Sequence, residues 1–74
     1  MERYANRNGD SGVIAYEIAP DSIKVQFQDR KVYVYNASRP GQQIVNEMKK
    51  LATEGSGLNS YINRIVRKNF SHIE

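Results

Sequence analysis

Two groups of side chains in this sequence have the types and spacing to do chemistry. The first is Tyr33-Val34-Tyr35, two phenols one residue apart in a β-branched run. On a strand such residues share a face, so two aromatic rings would stand side by side. On an open sheet each ring could stack one nucleobase for about 1–3 kcal/mol. The second group is the stripe Ser60, Asn63, Arg64, Arg67 and Lys68, whose three cations, at i, i+3 and i+4, share a face if the segment is helical. No acid lies between Gly55 and Ile73, so this stripe could follow a phosphate backbone with salt-sensitive affinity. Plainer readings compete with both. The tyrosines can be core or strand-forming residues, and the cations can form a solvated face that favours a helix C-terminus.

The remaining polar residues offer less. His72 is the single histidine, and there are no cysteines, so neither an imidazole cluster nor a thiolate metal site can be assembled. Ser71 beside His72 lacks the held geometry that a nucleophile and its base require. Glu17, Asp21, Asp29, Glu47 and Glu54 are scattered singly, with no spacing that argues for a paired acid and base. Asn59 belongs to the first turn of a helix at a tight corner, where a structural hydrogen bond is the plainer role. The expectation is a non-enzymatic chain with no cofactor, no metal and no small-molecule substrate.

The elements that must position these residues follow from periodicity. Seventy-four residues make one domain, and at that size only ~60% of the unfolded chain's surface is buried on folding. Residues 1–11 have no apolar period and hold the turn signal Asn8-Gly9-Asp10, so they read as a flexible leader to a single domain over 12–74. Residues 12–18 read as a strand, and Ala19-Pro20-Asp21 as a turn. In residues 22–28 Ile23, Val25 and Phe27 alternate with Lys24, Gln26 and Gln28, the mark of a strand with one wet face. A third strand covers 31–35.

The loop at Asp29-Arg30 decides the tyrosines. A two-residue loop pairs Val25 with Val34 and leaves Tyr33 and Tyr35 beside Gln26 and Lys24 on the far face. A three-residue loop slips the register by one and sends both tyrosines into the core. Arginine is a poor second residue for a primed turn.

Beyond this the period changes. Ile44, Val45, Met48, Leu51 and Ala52 form one apolar helical face over 40–54. Pro40 suits its first turn, Gly55 suits the left-handed residue after its end, and Ser56 can cap the next helix. Leu58, Tyr61, Ile62, Ile65, Val66 and Phe70 repeat the spacing. The fold class is therefore α+β: a three-stranded antiparallel meander followed by two helices on one face, β-β-β-α-α.

From about Gly12 to Phe70 the chain resembles the KTSC domain, a family of short bacterial and phage proteins named after a C-terminal extension of some lysyl-tRNA synthetases. Tyr33-Val34-Tyr35 matches the family's tyrosine-x-tyrosine, and Ile23-x-Val25-x-Phe27 matches its second strand. Gly55-Ser56-Gly57-Leu58-Asn59-Ser60-Tyr61-Ile62 matches the element that opens its last helix, with Gly55 and Asn59 as motif residues. Arg30 stands where the family usually has glycine, and Leu58 where it has an aromatic. The resemblance implies an accessory module for which RNA binding has been suggested.

The formal charge of +3 agrees with an anionic partner without demanding one. The leading expectation is RNA binding through Tyr33, Tyr35, Lys24, Arg64, Arg67 and Lys68. The alternative is a protein-interaction module using the tyrosine face. No run approaches a membrane span, so a cytoplasmic monomer away from membranes is expected.

Overall fold

The computed structural model describes residues 1–7, 9 and 12–74. Five antiparallel strands follow one another in sheet order as in sequence: β1 (Glu2–Arg3), β2 (Val13–Ala19), β3 (Ser22–Phe27), β4 (Val32–Asn36) and β5 (His72–Ile73). Helix α1 (Gln42–Glu54), the single turn α2 (Leu58–Tyr61) and a π-helical segment (Ile62–Val66) lie between β4 and β5. The class is α+β as expected. The expected meander forms the middle of the sheet, and a two-residue strand extends it at each edge.

The β3–β4 hairpin takes the longer of the two loops considered. Val25 faces Tyr33 and Ile23 faces Tyr35. The Phe27 N–H donates to the Lys31 carbonyl at 3.1 Å, and the Arg30 N–H donates to the Phe27 carbonyl at 2.8 Å. Gln28, Asp29 and Arg30 thus form a turn followed by a left-handed residue, the usual three-residue hairpin loop. Arg30 holds the left-handed place at φ 70°, and the Asp29 carboxylate accepts the Lys31 N–H at 3.0 Å. Both tyrosines consequently share the helix-covered face with Ile23, Val25 and Phe27. Lys24 faces the other way, on the rung of Val34 and His72.

A bulge in β2 does the same work for the first strand. Val13 pairs with Phe27 but Ala15 with Gln26, so Ile14 is the extra residue. The bulge lets Val13 and Tyr16, three apart, both enter the core, while Ile14 is turned to solvent.

Helix α1 buries Val45, Met48 and Ala52 and packs on β3 and β4, as its apolar spacing predicts. It ends at Gly55, which is left-handed (φ 80°) and donates to the Leu51 and Ala52 carbonyls. The second helix departs from the expected course. Its first N–H groups are not capped by Ser56: Gly57 is the N-cap, and the Leu58 N–H donates to the Tyr4 hydroxyl at 3.3 Å. After one α turn the chain widens into the π segment and stops at Arg67 (φ 53°), short of Phe70. Leu58, Ile62 and Val66 are buried, and Ile65 is 53% exposed.

The segment expected to be a leader contributes to the core. Tyr4 is only 4% exposed. The Arg7 N–H donates to the Gly55 carbonyl, and its Nε to the Glu54 carbonyl, each at 2.7 Å. These bonds occupy carbonyls that the end of α1 leaves without helical partners. The approach is close: a Cβ on Gly55 would sit 2.5 Å from that of Ala5. The segment's polar composition concealed this because a single buried tyrosine and a backbone docking have no period. The predicted turn residues Asn8 and Asp10 lie outside the described residues.

Two substitutions test this account by urea unfolding. Arg30→Gly removes a left-handed arginine and should raise stability by about 0.5–1 kcal/mol; a decrease would contradict the loop geometry. Tyr4→Ala should cost about 3 kcal/mol, whereas a loose leader would make it neutral.

Candidate functional site

The hairpin loop and the end of the π segment enclose a cleft of ≈650 Å³, within the ~300–1,000 Å³ span of small-molecule sites. Its floor is aromatic. The Tyr33 ring meets Phe27 edge-on at 5.2 Å between centroids and Phe70 at 4.9 Å. All three are half-buried, so part of each ring is open. Ile62 completes the apolar surface, and Asn63, Arg67, Lys68 and Asp29 form the rim.

Each wall is built differently. Phe27 ends β3 and Tyr33 is the second residue of β4, so the three-residue loop sets them on one face and carries Asp29. Asn63 lies in the π segment; Arg67 and Lys68 lie just after it, where Arg67, at positive φ, turns the chain. That turn returns Phe70 to the sheet. Asn69 is anchored by Arg39, whose Nε donates to the Asn69 Oδ1 at 3.1 Å. The Ser71 N–H then donates to the Val34 carbonyl at 2.7 Å.

The rim charges form no ion pairs among the described residues. The ion pairs there are Lys24–Glu74, at 3.2 Å, and His72–Glu74, at 3.9 Å. Arg67 and Lys68 are exposed and make no ion pair, and the Asn63 side chain has no hydrogen-bond partner among those residues.

The structure therefore regroups the residues singled out in the sequence. Tyr33, Arg67 and Lys68 come together. Tyr35 does not join them as a stacking surface: it is 1% exposed, beneath Phe70 at 6.4 Å between ring centroids. Lys24 is on the opposite face of the sheet, paired with Glu74. Arg64 is exposed but outside the cleft, because the helix does not continue far enough for the three cations to share a face. Gly55 holds its expected left-handed corner. Asn59 sits in α2, its Oδ1 3.8 Å from where a Gly12 Cβ would lie.

Sequence reasoning missed Phe27, Phe70 and Asp29 as site residues, while Asn63 belonged to the helix stripe it singled out. The signal of the missed three was weak: two apolar positions read as core and a turn acid. They meet only across a distance of more than 30 residues in the chain.

Other chemistry is sparse. Ser71 Oγ and His72 Nδ1 are 3.1 Å apart, yet both residues are exposed, at the start of a two-residue edge strand. Among the described residues no group of His, Asp and Glu is placed to hold a metal ion. No helix there is long and apolar enough to cross a membrane. No family model, curated protein or solved structure matches the chain.

Under the floor, burial pushes the Tyr35 phenol above its ordinary ionisation range, and the neighbouring Tyr33 adds to the shift. The sign follows directly. The unfolded tyrosine ionises near pH ~10 while the folded one stays neutral, so the unfolded state is favoured as pH rises further. Tyr35 should leave stability unchanged below pH ~10 and then remove about 1.4 kcal/mol per pH unit. Urea midpoints from pH 8 to 11.5 should fall less steeply for Tyr35→Phe than for the wild type. Equal slopes would mean that Tyr35 ionises freely.

Proposed function

We propose that the domain is a non-enzymatic module that binds RNA, with an unpaired base on the Phe27–Tyr33–Phe70 floor and its phosphate against Arg67 and Lys68. The observation that carries this reading is two cations that make no ion pair among the described residues, at the rim of an aromatic cleft. Aromatic faces take bases with little regard to sequence, and cations track the backbone; together they make a single-strand site. The positive net charge supports it, and the resemblance to the KTSC domain points the same way. A cytoplasmic setting suits such a partner.

Amide chemical-shift titration with bulk tRNA is the direct test. At low salt, shifts should centre on Tyr33, Asn63, Arg67, Lys68 and Phe70, and they should weaken as salt rises. Replacing Arg67 and Lys68 together by glutamate should lower the salt slope of binding by at least about 2, roughly one for each phosphate left without its cation. An absence of shifts at low salt would retire RNA binding. Salt-insensitive binding by some other macromolecule would favour the protein-interaction reading.

A further inference from the structure

The cleft has two unlike rims. Arg67, Lys68 and Asn63 stand on the helical side, and Asp29 stands on the hairpin loop across the aromatic floor. A carboxylate in a phosphate-binding cleft repels the ligand unless the ligand gives it hydrogen atoms. Asp29 is also held in place: its Oδ1 accepts the Lys31 N–H at 3.0 Å, inside a loop closed by the Arg30 N–H to Phe27 carbonyl bond. Ionised, it can only accept, and its two oxygens offer about four lone-pair positions, so one local bond leaves capacity for a ligand.

We propose that this cleft selects guanine, with Asp29 accepting from the base's N1–H and N2–H groups. This rests on the RNA-binding reading above. With phosphate on Arg67 and Lys68 and the ring on the aromatic floor, the far edge of the base meets the hairpin rim. An unpaired base presents its Watson–Crick edge there. Only guanine carries two adjacent donors on that edge. Adenine and cytosine each set one amino group beside a ring-nitrogen acceptor, and uracil flanks its single N–H with two carbonyls. Those acceptors would face the carboxylate and be repelled. The two donors of guanine make charge-assisted, paired bonds, the stronger class.

The experiment measures binding of the whole chain, at low salt, to hexauridylate and to the same hexamer with one central G, A or C. The G-containing oligomer should bind about tenfold more tightly than the other three, the discrimination that one good two-point base contact gives. In Asp29→Asn, which keeps an acceptor for the Lys31 N–H, that preference should shrink to under about twofold. The variant's dispersed amide spectrum checks that the hairpin is intact. If all four oligomers bind the wild type equally, guanine selection is wrong and RNA binding stands. If none binds, the RNA reading itself has failed. A preference that survives Asp29→Asn would assign it to another group and overturn the role of Asp29.

Discussion

The register of the β3–β4 hairpin is the constraint on which the rest of this domain depends. Side chains alternate along a strand, so a loop one residue longer or shorter exchanges the two faces of β4. Here the loop has three residues, with Arg30 in the left-handed region and Asp29 tied to Lys31. That choice puts Tyr35 under the helices, brings Tyr33 to the wall of the cleft and turns Lys24 away from both. With the two-residue loop, Val32 and Val34 would have entered the core and both tyrosines would have faced water. The large ring of Tyr35 fills space that a valine would leave empty, and its burial is worth correspondingly more.

The two ends of the chain close what the middle leaves open. Tyr4 is buried and satisfies the first N–H of α2, while Ala5 and Arg7 close against Gly55. At the other end Phe70 covers Tyr35 and borders the cleft, and β5 pairs with β4 beyond it. Each edge strand is only two residues long, and short edges limit further strand addition. In a domain this small the core cannot be completed from the central elements alone, so segments that look dispensable in composition carry aromatic packing.

How much of this was legible depended on the range of the interaction responsible. The central strands and α1 were readable because each carries its own period: Ile23, Val25 and Phe27 at two, and Val45, Met48 and Ala52 at helical spacing. Gly55 was readable because a left-handed helix end has a residue preference of its own. The Ile14 bulge, the π segment and both edge strands have no such local mark. Arg30 left the loop length open: it fits a primed two-residue turn poorly, yet it also tolerates poorly the left-handed place it holds in the three-residue loop. The site was half visible. Its cations and Tyr33 were named from spacing, but the partners that convert them into a cleft come from separate elements, joined only once register and helix end are known.

The end of the second helix shows how local geometry and site formation are linked. Had the α-helix run on to Phe70, Arg64, Arg67 and Lys68 would have lain along one face, and Phe70 would have been carried along the helix axis. The wider π turn ends the helix early instead, and Arg67 at positive φ reverses the chain. Phe70 thereby reaches Tyr33, and Arg67 and Lys68 come to the cleft while Arg64 does not. The cleft is thus bordered on one side by Arg67, at positive φ, and on the other by the loop that ends in left-handed Arg30. Arg30 holds the left-handed place of its loop, at a cost of roughly 1–2 kcal/mol for a side chain with a Cβ, and Arg67 also has positive φ; regular helix and strand ends would avoid both. Such departures persist where surrounding structure over-determines them, and they cluster at functional sites. Two of the three non-glycine residues at positive φ among the described residues, Arg30 and Arg67, flank one aromatic floor, in keeping with the site proposed there.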